Sequence, residues 1–237
     1  MKKQISILSM NMNFNNPKSK VLRQTDVVIN TLLKSKPTFL ALQEFGTEST
    51  TGDVLGIDVQ RRLESKGYSM IAPQLEAKYP VNTRIFYKSN EVELISKLNP
   101  IYKNGYLNRQ CGAKFKINGM ELIVYSLHLP LFSNDKHGKQ RFWKAIIDFS
   151  ANNNEQNVIL AGDFNESNFE LNPTMLAHNI KSLEKFYFDA SYNIETWKDK
   201  KLDHIFCSKP LNNNLVSIDT IENKISDHKG LYSNFKF

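Results

Sequence analysis

The sequence predicts a layered α/β sandwich, with helices packed against paired β-sheets. Helix-period stretches are few, strand-type runs are many, and several runs are joined as hairpins. A doubly wound parallel sheet would need a crossover helix between most successive strands. This chain has too few helices for that.

Residues 4–10 (QISILSM) alternate as a strand does, and 11–16 form a polar loop. Over 19–35, Val21, Leu22, Thr25, Val28, Ile29, Leu32 and Leu33 share one helical stripe, which Pro37 ends. The apolar run TFLALQE, 38–44, is a buried strand that closes a first strand-helix-strand unit. A second helix spans 52–66 and stops at Gly67, followed by β-type runs at 68–72, 83–88 and 91–98. Residues 112–128 make a hairpin, AKFKI and ELIVYSLHL, about the two-residue turn Asn118-Gly119. A helix over 136–151 buries Phe142, Ile146 and Phe149 and turns Lys136, Lys139, Arg141 and Lys144 to solvent. It leads into the strand VILAG and the turn GDFN. Further strands follow at 202–207, 215–221 and 229–236, with a loop over 168–179.

The 237 residues are 41% hydrophobic, 11% aromatic and 23% charged, which is ample for a core, and disorder is expected only at loops. No repeat, low-complexity tract or Pro/Gly-rich linker divides the chain, so one domain over 1–237 is expected. A net charge of +7 and a pI near 9.2 would attract a polyanion such as nucleic acid or an anionic membrane. Cys111 and Cys207 are far apart and lack metal-ligand spacing, so no disulfide framework is expected. The start, MKKQISILSMNMNFNN, is interrupted by Gln4, Ser6 and Ser9, unlike a secretory leader. No run approaches the roughly 18 apolar residues of a membrane span. A cytoplasmic monomer is the expectation, or a secreted protein whose leader has been removed.

In VILAGDFNES, 158–167, an apolar strand end delivers Asp163 and Asn165 into a turn. By itself the turn reads equally as an Asx-turn satisfying its own backbone or as a site. Other polar residues share the placement. Asn11 follows QISILSM, Glu44 follows LALQ, His128 ends ELIVYSLH, Asp203 opens LDHIF, and Ser226-Asp227-His228 precedes the last strand. If these edges meet, four carboxylates, two asparagines and two histidines surround one cleft. Oxygen donors without cysteine suit a hard cation, Mg²⁺ or Mn²⁺. Such an ion polarises phosphoryl oxygens, and the histidines add groups able to move protons near neutrality.

The ordered set Asn11, Gln43-Glu44, His128, Gly162-Asp163-Phe164-Asn165, Leu202-Asp203-His204-Ile205-Phe206 and Ser226-Asp227-His228 resembles the endonuclease/exonuclease/phosphatase superfamily, which includes deoxyribonuclease I, exonuclease III and neutral sphingomyelinases. The resemblance implies a deoxyribonuclease I-like four-layer sandwich: two packed mixed or antiparallel sheets flanked by helices. It also implies a divalent-metal-dependent phosphoesterase. Glu44 would be the principal metal ligand, with Asn11 and Asp227 in the same site. Asn13, two positions on, competes with Asn11. Asn165 would donate its amide to the phosphate, and His228 would pair with Asp203. Asp163 would help bind metal or orient water, and both Asp163 and His228 are candidates to activate that water. His128 would contact the phosphate or protonate the leaving oxygen. Arg109 would be a basic substrate contact. Asn82 would support the central histidine with a neutral amide. His137, His178 and His204 read as surface or packing residues.

The inositol 5-phosphatase branch carries a PAWCDR-type signature where this chain has TWKDKKLDHIF, and sphingomyelinase action would require export or an anchor. With the basic charge, a nuclease acting on DNA is expected, and a lipid or small-molecule phosphodiesterase is the alternative. A scaffold that has lost its chemistry is the third reading. None of the main residues is missing.

Overall fold

A computed structural model describes residues 3–14, 24–46, 55–75, 82–166 and 177–237. Among the described residues, twelve strands form two six-stranded sheets. The first contains β1 (Gln4–Asn11), β2 (Phe39–Phe45), β3 (Tyr68–Ile71), β4 (Asn82–Lys88), β11 (Leu215–Ile221) and β12 (Gly230–Lys236), in the order β11-β12-β1-β2-β4-β3. The second contains β5 (Glu93–Leu98), β6 (Gln110–Ile117), β7 (Met120–His128), β8 (Val158–Asp163), β9 (Tyr187–Asp189) and β10 (Asp203–Ser208), in the order β5-β6-β7-β8-β10-β9. Among the described strands only β1/β2 and β7/β8 pair in parallel, so each sheet is mixed.

Strand alternation builds three apolar layers. Ile5, Ile7, Phe39 and Ala41 of the first sheet meet Phe115, Val124, Ile159 and Ile205 of the second in a core between the sheets. Leu8, Met10, Leu40 and Leu42 point the other way. They pack on α1 (Thr25–Leu33) and α2 (Leu55–Ser65) through Val28, Leu32, Val59 and Leu63. Leu127, Leu160 and Phe206 face α3 (Lys136–Asn152) and α4 (Ala177–Leu183), meeting Phe142, Trp143, Ile146 and Ile180. The result is the expected four-layer sandwich.

Helix α1 stops at Leu33, and Lys36 turns to φ +47 before Pro37. The expected helix residues 19–23 lie outside the described residues, as do 52–54 of the second helix. Most of the expected loop at 168–179 lies outside them too, but Ala177–Asn179 open α4. The hairpin of β6 and β7 turns through Asn118 (φ +50) and Gly119 (φ +84), as a two-residue type I′ turn requires.

One correction concerns α3. Lys139, expected on the solvated face, is 1% exposed. It shares the inward stripe with Phe142, Trp143 and Ile146.

Candidate active site

The polar cluster continues the stripe that builds the core between the sheets. In β1 that face carries Ile5, Ile7, Ser9 and then Asn11; in β8 it carries Ile159, Ala161 and then Asp163. In β7 it runs Leu122, Val124, Ser126, His128, and in β10 it begins at Asp203 before Ile205 and Cys207. Register fixes the neighbours: His128 lies opposite Asp163, and Asp163 opposite Asp203. Beneath them Gln43 Nε2 donates to Ser126 Oγ at 3.0 Å, tying the sheets together.

Glu44 breaks the alternation. Its φ of +48 sits at an irregularity in the β2/β4 pairing between Leu42 and Phe45. The bulge lets Phe45 take the helical face while the Glu44 carboxylate turns to the cleft.

A cleft of about 780 Å³ opens over these strand ends. Asn11 Nδ2 donates to Asp163 Oδ2 at 2.9 Å and to Glu44 Oε1 at 3.3 Å, while its Oδ1 accepts the Asn13 N–H at 2.9 Å. Of the two competing asparagines, Asn11 therefore joins the carboxylates. His128 Nε2 lies 3.7 Å from both Glu44 and Asp163. The 226–228 turn is pinned to β1 by Ser226 Oγ, which donates to Asn11 O at 2.6 Å. His228 Nδ1 then meets Asp203 Oδ2 at 2.8 Å, with both groups buried.

Electrostatics follow from burial and crowding. Burial first, then the neighbouring Asp163 charge, pushes the Glu44 carboxyl up to about 7. Burial, and next Arg109, hold His128 down at about 3, so its ring is neutral. Burial alone would also lower His228, but Asp203, through charge and hydrogen bond, reverses this and raises it to about 10. Arg109 is lowered by burial, against the carboxylates Glu44 and Asp163.

The donor set fits a hard cation. Glu44 and Asp163 crowd one another with their oxygens turned to the cleft, and a cation between them would relieve the repulsion that helps raise Glu44. Ligand atoms of Asp163, Asp203 and His228 also converge within 4.8 Å, although Asp203 and the His228 ring are engaged with each other.

The remaining expected residues are placed as follows. Asn165, at φ +48, lines the cleft and donates its amide to Leu129 O at 2.9 Å. Arg109 lines the cleft from a short 3₁₀ turn, Leu107–Arg109, and lies over the Tyr106 ring. Asp227 is exposed outside the cleft lining, and its Oδ2 accepts the Trp197 Nε1–H at 3.0 Å. Asn82, buried at the start of β4, is not on the lining either. His128 Nδ1 has no hydrogen-bond partner among the described residues, so the amide support expected of Asn82 is not made. His204 is a packing residue: it is fully buried, stacks on Phe206 at 5.0 Å, and bonds Asp189 and the Glu166 carbonyl, each at 2.8 Å.

The cleft also takes in Tyr106, Lys139, Glu166, Trp197 and Lys200, to which the sequence reading gives no role. For Lys139 the available signal is its position on the apolar stripe of α3.

A family model described as the Endonuclease/Exonuclease/phosphatase family matches residues 8–228. The chain belongs to this family. Members of the Endonuclease/Exonuclease/phosphatase family are hydrolases of phosphoester bonds and generally depend on a divalent metal. Solved structures agree on the fold. A humanized D. rerio TDP2 carrying 14 mutations superposes with a TM-score of 0.78 at 17% identity, covering 98% of each chain. A family protein from Bacteroides vulgatus gives 0.76 at 16% identity, again over 98% of each chain. The human Nocturnin catalytic domain with a bound sulfate anion gives 0.69 at 19% identity, covering 99% of this chain and 97% of that one. No curated protein sequence is detectably similar to the chain. Among the described residues no helix is long and apolar enough to cross a membrane.

Proposed function

We propose that the protein is a Mg²⁺- or Mn²⁺-dependent phosphodiesterase, with DNA as its substrate and the whole chain as one catalytic unit. The observation that carries this reading is the meeting, in one cleft, of the Asp203-held His228 with the Glu44 and Asp163 carboxylates bridged by Asn11.

When bound, the divalent ion supplies Lewis acidity toward the phosphoryl and leaving oxygens. Glu44 would be its principal ligand, with Asn11 beside it, whereas Asp227, exposed and bonded to Trp197, lies outside the cleft lining and is not placed to complete the site. His228, charged at neutral pH, donates to a phosphoryl oxygen and offsets developing negative charge. Two asparagines hold Asp163, through Asn11 Nδ2 and the Asn165 N–H, where it can take the proton of an attacking water. Asn165 spends one side-chain amide hydrogen on Leu129 O and keeps the other for the phosphate. His128, neutral, serves as a polar contact to phosphate rather than as the proton donor to the leaving group. Arg109, which lines the same cleft, binds the substrate anion.

Nucleic acid is supported by the net charge of +7 and by a D. rerio TDP2 similar in fold that was solved with a single-strand DNA product.

Hydrolysis of bis(p-nitrophenyl) phosphate should require Mg²⁺ or Mn²⁺ and stop with EDTA. Glu44→Ala and His228→Ala should each lower turnover by about 10²-fold or more. Activity surviving both changes would overturn the site. A panel of plasmid DNA, abasic duplex, RNA, sphingomyelin and inositol phosphates should favour nucleic acid, with salt-sensitive binding. Preference for sphingomyelin would replace the nuclease assignment with the lipid one, and no turnover anywhere would favour a binding protein.

A further inference from the structure

Lys139 is a buried cation in an otherwise apolar helix face. It is 1% exposed, beside Phe142 and Trp143, which are fully buried. Its ammonium donates to the Asn165 carbonyl and lies 3.1 Å from Glu166 Oε2. Burying a long charged side chain is costly unless its contacts serve a purpose.

The contacts converge on one short segment. Asn165 holds φ +48, a left-handed conformation that asparagine adopts more readily than most non-glycine residues. Lys139 grips its carbonyl. The next carbonyl, of Glu166, meets His204 Nε2 at 2.8 Å, and His204 Nδ1 meets Asp189 at 2.8 Å. Lys201 donates to the same Asp189 carboxylate. On its other side the Asn165 N–H donates to Asp163 Oδ1 at 2.8 Å. A shift of the Asn165 backbone would therefore move both its own amide and the Asp163 carboxylate.

We propose that Lys139 is a positioning residue that acts through Asn165, clamping the turn after β8 so that Asn165 and Asp163 keep their reactive orientation. The inference rests on the phosphodiesterase reading for its catalytic consequence, though not for the clamp itself. Lys139 borders the cleft, but its ammonium is engaged with the turn. The rival role is direct contact with substrate phosphate.

The test is a double-mutant cycle on bis(p-nitrophenyl) phosphate with Mn²⁺. Lys139→Met should lower kcat by about 10–100-fold and leave KM within about twofold. In an Asn165→Ala background, which removes the side-chain amide but keeps the N–H that holds Asp163, the same change should still lower kcat, though by a smaller factor than in the wild type. Losses that multiply, or a raised KM at constant kcat, overturn the proposal in favour of direct contact. Because Lys139→Met leaves Glu166 without its ammonium, Lys139→Met/Glu166→Gln, which removes both charges, is run in the same cycle. Amide hydrogen exchange supplies a readout independent of turnover: the Asn165 N–H should exchange at least about tenfold faster in the double replacement, while β8 amides hold. Unchanged exchange overturns the clamp even if the wild type hydrolyses nothing. Wild-type inactivity with accelerated exchange overturns the function and leaves the clamp standing.

Discussion

Glu44 carries a cost that a metal ion would remove. Its folded carboxyl is raised to about 7 by burial and by Asp163, whereas in the unfolded chain it titrates near the ordinary glutamate value of about 4.3. A group whose folded pKa is raised costs nothing below the unfolded value and destabilises increasingly as pH climbs toward the folded one. In EDTA, Glu44→Gln should accordingly stabilise the protein at pH 8 by about 1–3 kcal/mol and leave it unchanged at pH 4, read from urea midpoints. Mg²⁺ should then raise the Tm of the wild type more than that of the variant. Gly162 is constrained differently. At φ +154, a Cβ there would lie 1.9 Å from the Leu127 carbonyl oxygen of the neighbouring strand. Gly162→Ala should cost more than about 3 kcal/mol in denaturant unfolding, since backbone rather than a side-chain tip must give way.

At the level of elements, the stripe that makes the strands visible also places most of the site. Ser9 to Asn11, Ser126 to His128 and Ala161 to Asp163 each extend a period-two face, so strand-end residues can be assigned to one edge without coordinates. Glu44 reaches the cleft only because the bulge in β2 reverses the alternation, which periodicity alone does not reveal. β9 is three residues long, and α4 opens inside a stretch whose composition reads as a loop, so neither offers enough pattern to recognise. Lys139 misleads because its charge outweighs its helical position.

Two elements offer tests of their own. Asp135 caps α3 by accepting the Gly138 N–H at 2.8 Å and also takes the Tyr106 hydroxyl. Asp135→Ala should cost about 1 kcal/mol or more in thermal unfolding. In β9, the charges of His204 and Lys201 outweigh burial and hold Asp189 far below the usual carboxylate range. That contribution is complete above the unfolded aspartate pKa of about 3.9 and drains away as pH falls below it. Asp189→Asn should therefore flatten the acid limb of a stability-versus-pH curve below about pH 4.

On the scale of the whole molecule, the cleft straddles the seam between sheets. Asn11, Glu44 and His228 come from the first sheet and its flanking turn; His128, Asp163 and Asp203 come from the second. The geometry of the proposed site is hence a direct function of how the sheets dock. Heat inactivation and loss of near-ultraviolet circular dichroism should coincide, and a melt in which activity fades well before the sheets part would contradict that dependence.

The position of β12 has a consequence for how the chain is made. It follows the other eleven described strands in sequence, yet it lies inside its sheet between β11 and β1, and His228 precedes it by two residues. On a ribosome, β1 must wait for its outer neighbour, and the Asp203 carboxylate for its imidazole, until residues 228–236 have cleared the exit tunnel. On the proposed reading, the nascent protein would thus stay inert until β12 had emerged.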